Sequence, residues 1–120
     1  MIEPQKVFAH ILDGVRQTEG NTHSVQWTVP ANLPYLDGHF PNNPIFPAVG
    51  IIDASAVVVQ SFTGRTDFHL KSVLMAKFLS VITPGQAVRI EWSADGDSEW
   101  LVEWKDTSSE RNLATVRLQA

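Results

Sequence analysis

Apolar and polar residues change period several times along this chain, and each change predicts an element. Over residues 5–13, Val7, Phe8, Ile11 and Leu12 recur at helical spacing, which predicts a short amphipathic helix ended by Gly14. From residue 24 to 29 the period drops to two. Val25, Trp27 and Val29 share one face there, and Pro30 closes the strand. A long, mostly apolar run over 70–81 predicts another strand, stopped by the turn signal Thr83-Pro84-Gly85. Alternation then returns over 86–93, with Val88, Ile90 and Trp92 opposite Arg89 and Glu91. Asp95-Gly96-Asp97 reads as a hairpin turn, after which Trp100, Val102 and Trp104 alternate with Glu103 and Lys105. A polar stretch over 106–112 leads to a last strand over 113–118. Such a meander buries one face and wets the other, so it needs an apolar element to pack against.

Residues 48–61 (AVGIIDASAVVVQS) supply that element. They are apolar nearly all round, as expected of a buried helix wrapped by a sheet. The β-branched residues Ile51, Ile52, Val57, Val58 and Val59 leave a strand open on propensity alone. The pattern as a whole reads as an α+β fold, and a length of 120 residues suits one domain over 1–120 with one core. A core this small makes a partner chain over one face expected.

Charge and composition narrow the function. A net charge of −4 speaks against nucleic acid, which needs a basic surface. With no cysteine there are no disulfides, thiolate metal sites or cysteine nucleophiles. The apolar region over 45–59 is too short for a membrane span and contains Pro47 and Asp53. The N-terminus lacks the apolar core and cleavage site of a secretory signal, so a soluble cytoplasmic protein is expected. His10, His23 and His69 show no metal-ligand spacing, and no glycine loop suits a phosphate.

Asp53 stands out. It is the only charged side chain between Asp37 and Arg65. On a helix it shares a stripe with Val49, Ala56, Val57 and Gln60, at spacings of three, four and seven. A carboxylate in such company must find a partner or bind a proton, and a carboxylic acid kept protonated can act as a general acid. The plainer alternative is an N-cap for a helix starting at Ala54. Upstream, Pro41, Pro44 and Pro47 stiffen the loop that carries His39. A rigid imidazole suits a general base, although a lone histidine in a proline-rich turn is more often plain surface. The N–H groups opening a helix near Ala48 and Val49 would lack partners, and could polarise a carbonyl.

The stretch LPYLDGHFPNNPIFPAVGIIDAS resembles the signature of bacterial 3-hydroxyacyl-[acyl-carrier-protein] dehydratases. Their pattern G-H-F-P-x-x-P-x-x-P-G-V-x-x-x-E/D-A falls on Gly38 to Ala54, with the same fourteen-residue step from His39 to Asp53. The downstream order, with Lys77-Phe78 in a long strand and a turn at Pro84-Gly85, is also similar, so the resemblance covers residues 25–120. It implies a hotdog fold, a curved antiparallel sheet around a long central helix. It also implies a homodimer whose active sites pair His39 of one chain with Asp53 of the other.

The implied reaction takes a (3R)-3-hydroxyacyl thioester on acyl carrier protein to the trans-2-enoyl thioester, without metal or other cofactor. His39 takes the C2 proton, the Ala48 N–H holds the carbonyl, and Asp53 helps the hydroxyl leave. Phe46, Val49 and Phe78 would line the acyl tunnel. The chain departs from the family at Ala48, where glycine is usual, and at Val57, where glutamine is frequent. Its acid is Asp rather than Glu, and the whole is most similar to short dehydratases of aryl-polyene or other specialised lipid assembly. Two alternatives go with these departures: a non-catalytic acyl-binding subunit and an acyl thioesterase.

Overall fold

The computed structural model describes residues 2–36, 44–64 and 70–120 of the chain. The first helical segment is shorter than its apolar spacing predicts. An α-helix, α1 (Pro4–Phe8), starts on a proline and gives way to a 3-10 helix over Ala9–Asp13. The tighter winding has a packing reason: positions three apart eclipse on a 3-10 turn. Phe8 and Ile11, three apart, are both 1% exposed and point together into the core.

Six strands follow: β1 (Arg16–Glu19), β2 (Thr22–Thr28), β3 (Ser72–Phe78), β4 (Ala87–Asp95), β5 (Glu99–Asp106) and β6 (Asn112–Gln119). They form one sheet in the order β1-β2-β4-β5-β6-β3, with every pair antiparallel. Strand β1 has no counterpart in the hydrophobic pattern, because all four of its residues are exposed and polar. Its pairing with β2, from Arg16↔Val25 to Glu19↔Thr22, makes it an edge strand. The apolar run over 70–81 yields a strand only as far as Phe78. Beyond it Leu79 and Ser80 both donate backbone hydrogen bonds to Leu113 O. The expected turns are present, with Gly85 and Gly96 at φ 85° and 83°, where a side chain would be strained.

The alternating positions of β2, β4, β5 and β6 meet on one face. Val25, Ile90, Trp92, Val102, Trp104, Val116 and Leu118 are each at most 1% exposed. Against them lies helix α2 (Ala48–Thr63), 16 residues ended by Gly64 in the left-handed conformation. Its inner face, Ile51, Ala54, Ser55 and Val58, is buried. Trp104 Nε1 donates to Ser55 Oγ at 2.9 Å, and that hydroxyl donates to Ile51 O at 2.7 Å. A polar relay thus fixes the register of helix on sheet inside an otherwise apolar core.

Segment 48–61 is therefore helix rather than strand, and Asp53 is its sixth residue, not a cap for a helix at Ala54. One expectation needs correction. The helix is not covered all round: Val49 is 58% exposed, Ala48 is exposed, and Ile52, Asp53, Ala56 and Gln60 are half-buried. An antiparallel sheet packed on one side of a helix is the α+β hotdog arrangement. The uncovered side is the one on which a second element would close.

Candidate active site

Asp53 projects from the middle of α2 on the side away from the sheet, where the helix is half-buried. Four of the five residues on the stripe read from spacing share a cavity, and Val49 does not. Asp53, Ala56, Val57 and Gln60 line one cavity of about 300 Å³, closed by Pro4 and Gln5 of the α1 region and by Leu70. The carboxylate also has a partner that spacing did not reveal. Tyr35 Oη donates to Asp53 Oδ2 at 2.6 Å.

Tyr35 belongs to a short 3-10 turn, Pro34–Leu36, held by Leu36 N–H donating to Leu33 O. Its ring is 4% exposed and lies between Phe8 (centroids 5.3 Å apart) and Phe46 (6.2 Å, edge to face). Burial, the hydrogen bond to Asp53 and the charge of Asp53, in that order, hold the phenol well above the ordinary tyrosine range. It stays a donor at any physiological pH. The available sequence signal was that Tyr35 is the one tyrosine of the chain and sits in a short apolar stretch just before the signature.

The start of α2 faces elsewhere. Pro47 occupies the N-cap with no side-chain hydrogen bond, and its carbonyl accepts from Gly50 and Ile51. Among the described residues neither Ala48 N–H nor Val49 N–H has a backbone acceptor, as for the first turn of any helix. Ala48 has no positive φ, since Glu110 is the only non-glycine with one among the described residues. The methyl group in place of the family's glycine is therefore carried on an unstrained backbone.

Ala48, Phe46 and Phe78 line a second, mostly apolar groove of about 360 Å³ with Pro47, Leu79 and Val81. Phe46 presents only an edge to it, being 2% exposed and packed into the aromatic core. Phe78 is 42% exposed. Val49, expected among the lining residues, stands outside both cavities on the open face of the helix. His39 and the rest of 37–43 lie outside the described residues, as does His69. Among the described residues no three His, Asp or Glu side chains gather as metal ligands, and no helix is long and apolar enough to cross a membrane.

Comparisons with known proteins bear on this site. The model of the ApeI-like family (ApeI dehydratase) matches residues 15–117. The 3-hydroxyacyl-[acyl-carrier-protein] dehydratase FabZ of Caldanaerobacter subterraneus subsp. tengcongensis is 33% identical over 99 residues, 75% of this chain and 70% of that protein. FabZ of Campylobacter curvus is 29% identical over an alignment covering 100% of this chain and 95% of its own length. Among solved structures, the dehydratase heterocomplex ApeI:P from Xenorhabdus doucetiae superposes with a TM-score of 0.76. That match covers 88% of this chain and 92% of the other, at 19% identity, so it speaks for the fold alone. With a family model matched from β1 almost to the end of β6, the chain belongs to the ApeI-like dehydratases, among the hotdog-fold 3-hydroxyacyl-[acyl-carrier-protein] dehydratases.

Proposed function

We propose that this dehydratase works as a homodimer on acyl carrier protein, with His39 and Asp53 as its catalytic pair. The reaction removes water from a 3-hydroxyacyl thioester bearing a fatty or polyene-type chain. The observation that carries the assignment is Asp53 itself: an ionisable group in mid-helix, half-buried, anchored by a buried phenol, and open to a cavity lined by apolar residues and two glutamines. His39 takes the C2 proton, and the C2–H electrons form the new double bond as the C3–O bond breaks. The Asp53 carboxyl gives its proton to the departing hydroxyl, which leaves as water, and the proton held by His39 returns to the pair to restore it. Charge gathering on the thioester oxygen is met by the Ala48 N–H and the positive end of α2. The apolar groove beside Phe78 receives the acyl chain.

Helix geometry supports a site shared between chains. Ala48 and Asp53 are five residues apart, about 140° around the axis at 3.6 residues per turn. They open onto different cavities, so Asp53 of one chain serves the His39 and Ala48 of the other.

The purified protein should convert a 3-hydroxyacyl thioester to its 2-enoyl form. His39→Ala and Asp53→Asn should each lower kcat by about 10²- to 10⁴-fold, the usual contribution of a positioned acid or base, with the dimer intact. Near-native turnover in either variant removes that residue from its role. Mixing the two inactive variants should restore activity, because a mixed dimer holds one site with both groups native. No restoration on subunit exchange would place the pair within one chain.

A further inference from the structure

We propose that Tyr35 is a positioning residue for Asp53: its hydroxyl fixes one carboxylate oxygen and aims the other into the cavity where the substrate hydroxyl must sit. The inference rests on the catalytic reading of Asp53 given above. Among the described residues Tyr35 is the only hydrogen-bond partner of that carboxylate, through Oδ2 at 2.6 Å. Gln5 and Gln60 share the cavity with this half-buried carboxylate, but among the described residues neither hydrogen-bonds it.

The donor itself cannot wander. The Tyr35 ring is clamped between Phe8 and Phe46, and a tyrosine has few torsions to freeze. The phenol keeps its proton because burial and the neighbouring carboxylate both oppose ionisation. It therefore donates to Oδ2 throughout the cycle and leaves Oδ1 to the reacting hydroxyl. Tyr35 also lies four residues before His39 in the sequence, so the donor to the acid and the base belong to one short stretch of chain. The contact joins the stretch just before the signature to the acid near its end, across 18 residues of sequence.

The test is the kinetics of Tyr35→Phe, which removes the hydroxyl and keeps the ring in its aromatic clamp. With a 3-hydroxyacyl thioester on carrier protein, kcat should fall about ten- to hundredfold, the value of one hydrogen bond to a charged group. KM should stay within about twofold. In the Asp53→Asn background the same change should have little further effect on the residual rate, since Tyr35 acts only through Asp53. A native kcat in Tyr35→Phe, or a loss that adds in full to that of Asp53→Asn, overturns the role. Native turnover in Asp53→Asn would instead sink the catalytic reading beneath it.

A second measurement survives a variant that fails to fold. Tyr35 is the only tyrosine, so growth on 3-fluorotyrosine labels this one position in the otherwise native protein. Its fluorine resonance should move in Asp53→Ala, and again when the site is saturated with a 3-hydroxyacyl thioester analogue that cannot lose water. An unmoved resonance in both cases overturns the proposal.

Discussion

Gly50 sits where the first turn of α2 passes over the Phe46 ring, and a Cβ built there would overlap that ring. The ring cannot give way cheaply, because it is packed on Phe8, Trp27, Tyr35 and Trp104. Gly50→Ala should therefore lower stability by about 1–3 kcal/mol, as overpacking of a tight core does, despite the better helix propensity of alanine. Urea unfolding would show it as a lower midpoint. Since Phe46 also clamps Tyr35, turnover should fall with it. At this scale the site was only half legible. Asp53 announced itself as the one charge in a long uncharged stretch. Its donor did not, because the two meet through a tertiary contact that no local period encodes. Phe46 was read as tunnel lining, and the structure makes it chiefly core.

Among elements, the wet face of the meander carries its own network. Arg89 and Lys105, on neighbouring strands, flank Glu91 at 2.8 and 3.1 Å. Burial alone would raise the Glu91 carboxyl, but these two cations outweigh it and hold it below the usual range. At the β5–β6 turn Asp106 accepts hydrogen bonds from Ser108, Gln86 and both Ser109 donors, which hold it far below the ordinary carboxylate value. A carboxylate depressed by folding stabilises the native state above its unfolded pKa, about 4, and loses that contribution as pH falls below it. Asp106→Asn should thus lower the unfolding midpoint at pH 6, and its difference from the native protein should shrink as pH drops toward 3. The alternating strands were plain in the sequence because one face of each is dry. Strand β1 was not, because both its faces are polar, and only pairing with β2 makes it a strand. Helix α2 stayed ambiguous on propensity until packing against Trp104 and its neighbours decided it.

At the scale of the molecule, most of the apolar surface left outside the core among the described residues gathers at one edge, with Ile2 and Val15 apart from it. Leu70, Val73, Leu74, Phe78, Leu79 and Val81, all in or beside β3, are between 38% and 61% exposed, and Val49 stands open on α2. Surface of this kind on an edge strand invites another chain. Leu74→Lys, at the bulge of β3, should shift the protein to monomer in light scattering and remove activity with it, if each site draws on two chains. A monomer with native turnover would separate the two claims. Chain length made a partner unsurprising, but not where one would sit, since a continuous apolar run looks the same whether a sheet or another molecule covers it. The two rims of the sheet then differ in what they permit. One is β3; the other is β1, where Arg16, Gln17, Thr18 and Glu19 are all polar and exposed and an exposed Val15 precedes them. If two chains join through β3, the mostly polar β1 edge is left as the outer rim at each end. A ribbon built that way would end on strands with polar side chains, which discourage further edge-to-edge addition.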